Sequence, residues 1–148
     1  NLLSTPIRAL LKRGPVTLPP DTSIQVTATL MRELRVSSVL LVEQNHLFGL
    51  VTDRDLRNRV VAEGLDIHGP VSDIATMAPT TVSINSPAFE ALLMLARNRI
   101  HHMPVMDGHD IVGMITATDL TEQHSTSAVF LAGDIYQQDT WHWLLCWR

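Results

Sequence analysis

Cysteine is almost missing from this 148-residue chain: Cys146, two residues from the end, is the only one. No disulfide framework can form within one chain, and the composition fits a reducing cytosol. Lysine is as scarce, with Lys12 alone among eleven basic residues. No Lys/Arg run occurs and the net charge is −4. The basic footprint of a nucleic-acid binder is therefore lacking. No apolar stretch approaches the ~20 residues of a membrane-spanning helix, and no signal-peptide pattern is present. The expectation is a cytoplasmic protein, with neither nucleic acid nor membrane as partner. Charged residues make up only 18%, low for a disordered chain, and 45% hydrophobic content supports a core. Asn1 in place of an initiator methionine reads as a fragment excised from a longer protein.

What is present is a repeat. Slid by 64 residues, the chain matches itself without a gap from Pro6 to Leu56. Pro6 meets Pro70, Arg35 meets Arg99, Gly49 meets Gly113, Thr52 meets Thr116 and Asp55 meets Asp119. Apolar positions agree too, as with Val36 and Ile100, or Val51 and Ile115. A repeat of this length is one supersecondary unit written twice. Each copy is shorter than the ~70 residues below which a single core rarely suffices. The two should pack face to face, leaving pseudo-twofold clefts between them.

Local signals place the elements. Thr5 as cap and Pro6 at the first helical position predict a short helix over 5–13. Val16 to Leu18 reads as a strand. Asp21 or Thr22 caps a helix to about Leu34, with Ile24, Ala28 and Met31 on one face. Val39–Val42 and Leu47–Thr52 are strands around a Gln44-Asn45 turn. Thr52 caps a helix from Asp53 to about Glu63, closed by Gly64. The second copy repeats the order: a short helix after Pro70, a strand Thr80–Ser83 and a helix opened by Ser86-Pro87. Strands His102–Met106 and Ile111–Thr116 follow around an Asp107-Gly108 turn, then a helix from Ala117 to about His124. The fold class is α/β (α+β), two β-α-β-β-α repeats over 3–63 and 68–124. Residues 125–148 form a tail in which Ala128–Ala132 suits a short strand or a helix start. Its last ten residues hold all three tryptophans and the cysteine.

Both copies carry one phrase at the last strand-to-helix junction: Gly49-Leu-Val-Thr-Asp-Arg-Asp-Leu56 and Gly113-Met-Ile-Thr-Ala-Thr-Asp-Leu120. Arg35-Val-Ser-Ser-Val-Leu-Leu-Val42 and Arg99-Ile-His-His-Met-Pro-Val105 precede them. The chain resembles a tandem pair of cystathionine-β-synthase (CBS) domains, a Bateman module, over residues 3–124. Ser125 to Gln138 is similar to a stretch of bacterial signalling proteins. Those proteins place such a pair between a cyclic-nucleotide-binding domain and a nucleotidyltransferase-like domain.

The resemblance implies an adenosine-containing ligand such as AMP, ADP or ATP, held between the repeats as a regulatory ligand, with no cofactor required. Asp55 and Asp119 would accept hydrogen bonds from the ribose hydroxyls, which the two oxygens of a carboxylate suit. Thr52, Thr116 and the free N–H groups of the helix starts would face phosphate or ribose oxygens, with Arg54 near the phosphates. The adenine would lie between Pro15–Leu18 (Val16, Thr17) and Pro79–Val82 (Thr80, Thr81), with Val51 and Ile115. A local reading stands beside this one: Thr-x-x-Asp is also an acidic capping box that needs no ligand. His101 and His102 replace Ser37 and Ser38 of the first copy. They can reach phosphate, more strongly as pH falls, or be one inward hydrogen-bonded histidine and one on the surface. Adjacent strand residues point to opposite faces, which speaks against zinc. Arg35 and Arg99 read as solvated helix ends. Ala117-Thr118 in place of Asp53-Arg54 makes the two half-sites unequal.

No nucleophile with a base and an orienting partner is visible, so the chain is expected to sense rather than catalyse. A homodimer through the pair, and control of further domains of the full-length protein, are implied by analogy. The alternative is the same fold with empty clefts, working as an interaction module.

Overall fold

A computed structural model describes residues 4–12 and 14–122. The first unit holds β1 (Thr17–Leu18), α1 (Ile24–Leu34), β2 (Ser38–Glu43), β3 (His46–Thr52) and α2 (Asp53–Asp55). A π-helical run, Leu56–Val61, prolongs α2. After β4 (Thr76–Met77) come β5 (Val82–Ser83), α3 (Ala88–Asn98), β6 (His102–Asp107), β7 (Asp110–Thr116) and α4 (Ala117–Glu122). The expected β-α-β-β-α order is present twice. The Ala128–Ala132 element and the rest of the 125–148 tail lie outside the described residues.

Two sheets result, in the orders β1-β2-β3-β4 and β5-β6-β7. In each, the first strand runs parallel to the second and the second pairs antiparallel with the third. Both hairpins shift register at the same place, between Leu41 and Val42 and between Val105 and Met106. Gln44 and Asn45 both have positive φ, as a two-residue turn between twisted strands requires. Asp107 pairs with Asp110, so the second turn is Gly108-His109, one residue later than expected.

The helices bury the same face. Ile24, Thr27 and Met31 are buried on α1, and Ala88, Ala91 and Leu95 occupy the matching positions on α3. Thr27 replaces the expected Ala28 because its hydroxyl donates to the Ser23 carbonyl at 2.9 Å and needs no water. The cap of α1 is Ser23, not Asp21 or Thr22: its hydroxyl oxygen accepts from the Val26 N–H at 3.1 Å.

The opening segments exchange places. The predicted helix over 5–13 is a single 3-10 turn, Ile7–Ala9, and Pro6 precedes it in extended backbone. Ile7 and Leu10 pack into the second unit's core beside Val82, Ala88 and Met103. Their counterparts Val71 and Ile74 pack into the first unit's core with Ile24, Val39 and Val51. The hydrogen bonds are reciprocal. Ile7 N–H donates to Ser86 O at 2.9 Å, and Val71 N–H to Thr22 O at 2.7 Å. Ala75 and Thr76 then cross Gly49 so closely that a Cβ there would lie 3.1 Å from both the Ala75 Cβ and the Thr76 carbonyl oxygen. β4, although it belongs to the second copy of the sequence, completes the first sheet. Val51 and Ile115, at zero exposure, face the two cores. The opposite sheet faces, with Leu50 and Met114, look into the space between the units.

Candidate functional site

That space is one continuous cleft of about 1050 Å³. It reaches the upper end of the roughly 300–1,000 Å³ common for ligand pockets. The ends of β3 and β7, the starts of α2 and α4 and the ends of α1 and α3 all open onto it.

Both Thr-x-x-Asp motifs form capping boxes. The Asp55 N–H donates to Thr52 Oγ1 at 3.3 Å, and the Thr52 N–H donates to Asp55 Oδ2 at 2.9 Å. The second copy gives 3.1 and 3.0 Å for Asp119 with Thr116. The local reading therefore holds, yet all four residues also line the cleft.

The two carboxylates differ in what remains. Asp55 Oδ2 takes a further bond from the Thr52 hydroxyl at 3.2 Å, and Arg59 Nε lies 3.6 Å from Oδ1. Asp119 Oδ1 has no protein partner among the described residues. The helix starts differ in the same sense. At α2 the first three N–H groups are all committed, to Ser37 O, Asp53 Oδ1 and Thr52 Oγ1. The expectation of free N–H groups fails there because Asp53 folds back on its own neighbour. At α4, Ala117 and Asp119 N–H are bonded, while Thr118 N–H has no partner among the described residues.

Of the other expected residues, Arg54, Val16, Thr80, His101 and His102 also line the cleft. Thr17 and Thr81 do not: the chain leaves the cleft wall after Val16 and Thr80 to enter β1 and β5. Alternation along β3 and β7 corrects Val51 and Ile115, whose neighbours Leu50 and Met114 reach the cleft instead. Arg35 and Arg99 are exposed helix ends, as expected, and they line the cleft as well. Their recurrence in register was the sequence signal.

His102 spans the two units. Its Nε2 sits 2.8 Å from the Ser37 hydroxyl. Burial lowers its pKa below the usual 6.5; Asp53, Asp119 and Asp55 oppose that shift, and His101 adds to it. At neutral pH the ring is therefore uncharged and serves as a polar contact between repeats. His101 is exposed on the cleft wall. Among the described residues, no three His, Cys, Asp or Glu side chains could hold a metal ion, and no helix is long and apolar enough to cross a membrane.

The duplicated architecture and its cleft have counterparts in known proteins. The CBS domain model matches residues 7–62 and 71–125. This chain belongs to the CBS-domain family. A CBS domain-containing protein of Bacillus subtilis is 33% identical over 104 residues, 70% of this chain and 74% of its own length. A CBS domain protein from Pyrobaculum aerophilum, solved complexed with AMP, superposes with a TM-score of 0.73 at 32% identity, covering 78% of this chain and 89% of that one. Inosine-5'-monophosphate dehydrogenase of Thermoplasma acidophilum is 35% identical over 113 residues, 75% of this chain but 22% of the enzyme. The chain therefore spans about a fifth of that relative. The CBS pair is a regulatory module with an α/β fold of two tandem repeats.

Proposed function

We propose that this CBS pair senses an adenosine-containing nucleotide in the inter-repeat cleft and transmits its occupancy to a neighbouring domain. One observation carries the reading: two Thr/Asp helix starts, 64 residues apart in sequence, open onto one 1050 Å³ cleft. Asp119 Oδ1, which has no protein partner among the described residues, makes the second half-site the better grip for a ribose diol. In the first, Arg59 competes for the carboxylate. Leu50, Met114, Pro15 and Pro79 supply apolar wall for a base. The AMP complex of the Pyrobaculum relative supports this ligand class. A ligand bridging both units favours one arrangement over another only through its differential affinity. That makes the module a regulator in signal transduction rather than a catalyst.

The same reading places the pair, as repeats 3–63 and 68–124, inside a cytoplasmic signalling protein with cyclic-nucleotide-binding and nucleotidyltransferase-like domains. It also assigns self-association to the helices, where Val26, Leu34, Phe89 and Leu93 stand exposed. Those side chains favour a second reading as well, a ligand-free dimerisation module.

Thermal unfolding with AMP, ADP, ATP, S-adenosylmethionine and cyclic nucleotides separates the two readings. A ligand at 100 times its dissociation constant adds about 2.7 kcal/mol. Asp119→Ala should remove most of that gain and Asp55→Ala less. Stability indifferent to every compound would leave the dimerisation module.

A further inference from the structure

Two arginines stand where backbone geometry favours glycine. Arg35 closes α1 with φ 55 and ψ 45, and Arg99 closes α3 with φ 53 and ψ 43. Left-handed backbone at a helix end is usually left to glycine, because a Cβ crowds the following carbonyl. A cation near a helix C-terminus is favourable, but Arg32 and Arg97 already fill the last turns of these helices. Strain kept at both pseudo-twofold positions points to a task for the side chains.

Their surroundings indicate the task. Both line the cleft, and neither guanidinium has a partner among the described residues; the same is true of Arg54. Among the described residues the cleft wall carries five Lys and Arg against three Asp, in a chain whose net charge is −4. Positive charge is thus gathered around one space in an otherwise acidic protein. The planar fork of an arginine matches two phosphate oxygens at once. One such fork from each unit suits an anion long enough to meet both.

Building on the nucleotide reading above, we propose that Arg35 and Arg99 are phosphate-binding residues. Through them the cleft selects adenosine ligands with two or more phosphates over neutral or singly phosphorylated ones. The polyphosphate chain crosses from one repeat to the other and neutralises cations that repel each other in the empty cleft. Ligand charge, rather than the base alone, then sets how firmly the units are tied together.

The test uses Arg35→Gly and Arg99→Gly together. Glycine suits left-handed backbone, so the ligand-free melting temperature should hold or rise. Titration at low ionic strength compares adenosine, ATP and inorganic tripolyphosphate. The wild-type chain should bind tripolyphosphate, and ATP at least about tenfold tighter than adenosine. The double variant should lose about tenfold or more for ATP and tripolyphosphate while its adenosine affinity stays unchanged. Wild-type protein that ignores tripolyphosphate and binds ATP no tighter than adenosine overturns the proposal, as does a variant that keeps its ATP affinity. Tripolyphosphate binding that the glycines abolish, with no gain from an attached adenosine, upholds the arginine pair and removes the nucleotide reading. Adenosine binding without tripolyphosphate binding does the reverse.

Discussion

Replacing Ile7 by alanine should loosen the second unit rather than the first. Ile7 lies in the first copy of the sequence, but it is fully buried against Val82, Ala88 and Met103 of the second unit. Three methyl or methylene groups are removed, about 2.4 kcal/mol at ~0.8 kcal/mol each. The cavity left behind raises the cost to about 3–4 kcal/mol, within the range for large-to-alanine changes in cores. For a domain of this size that lowers the melting temperature by on the order of 10 °C. Urea unfolding gives the total, and native-state hydrogen exchange gives the place. The amides of β5, β6 and β7 should lose protection before those of β2 and β3. Ile74→Ala is the mirror experiment and should spare β6 and β7 while opening the first sheet. A cost under about 1 kcal/mol, or first-sheet amides opening first in Ile7→Ala, would refute the exchange of opening segments.

Other consequences are as direct. Gly49→Ala should cost about 1–3 kcal/mol, because its new Cβ meets the Thr76 carbonyl at 3.1 Å and backbone must move. Gly113→Ala should cost less despite a nearer contact of 2.8 Å, since the atom it meets is the swinging end of Leu11; equal losses in urea unfolding would contradict this. Ser23→Ala should lose about 1 kcal/mol of cap energy while Asp21→Ala changes little, and the reverse ranking would restore the expected cap. His102 should titrate below 6.5 when followed by NMR. Its folded state resists the proton more than the unfolded chain does. Its contribution to stability is therefore complete above pH 6.5 and fades as pH falls through the lowered folded value. His102→Gln should flatten that acid-side slope, and a midpoint above 6.5 would defeat the assignment.

The sequence shows some parts of this structure and hides others for physical reasons. β2 and β3 are plain because Val39 to Val42 and Leu47 to Thr52 are apolar runs of strand length with a turn between them. Thr52 and Thr116 announce helix starts because a cap is a local event involving a side chain and an N–H three residues on. The cap of α1 falls one or two positions beyond the expected residues because Asp21, Thr22 and Ser23 are all good acceptors, and only the backbone angle decides among them. The exchange of Ile7 and Leu10 for Val71 and Ile74 has no local signature, because either core would accept the same apolar residues. β4 is two residues long and pairs with a strand over twenty-five positions earlier; no periodicity can show in so short a piece. Within the cleft, the motif residues were legible as a repeat. The faces of Val51 and Leu50 were not, because a shift of one residue on a strand reverses inside and outside. Arg35 and Arg99 needed their φ angles before their shared register acquired a meaning.

Calorimetric titration of ATP and AMP into the wild-type chain and into Asp55→Ala/Asp119→Ala tests the account at its centre. Saturable binding to the wild-type protein and its loss in the double variant are the expected results. Undiminished affinity without both carboxylates, or no heat from either nucleotide at millimolar concentration, would contradict it.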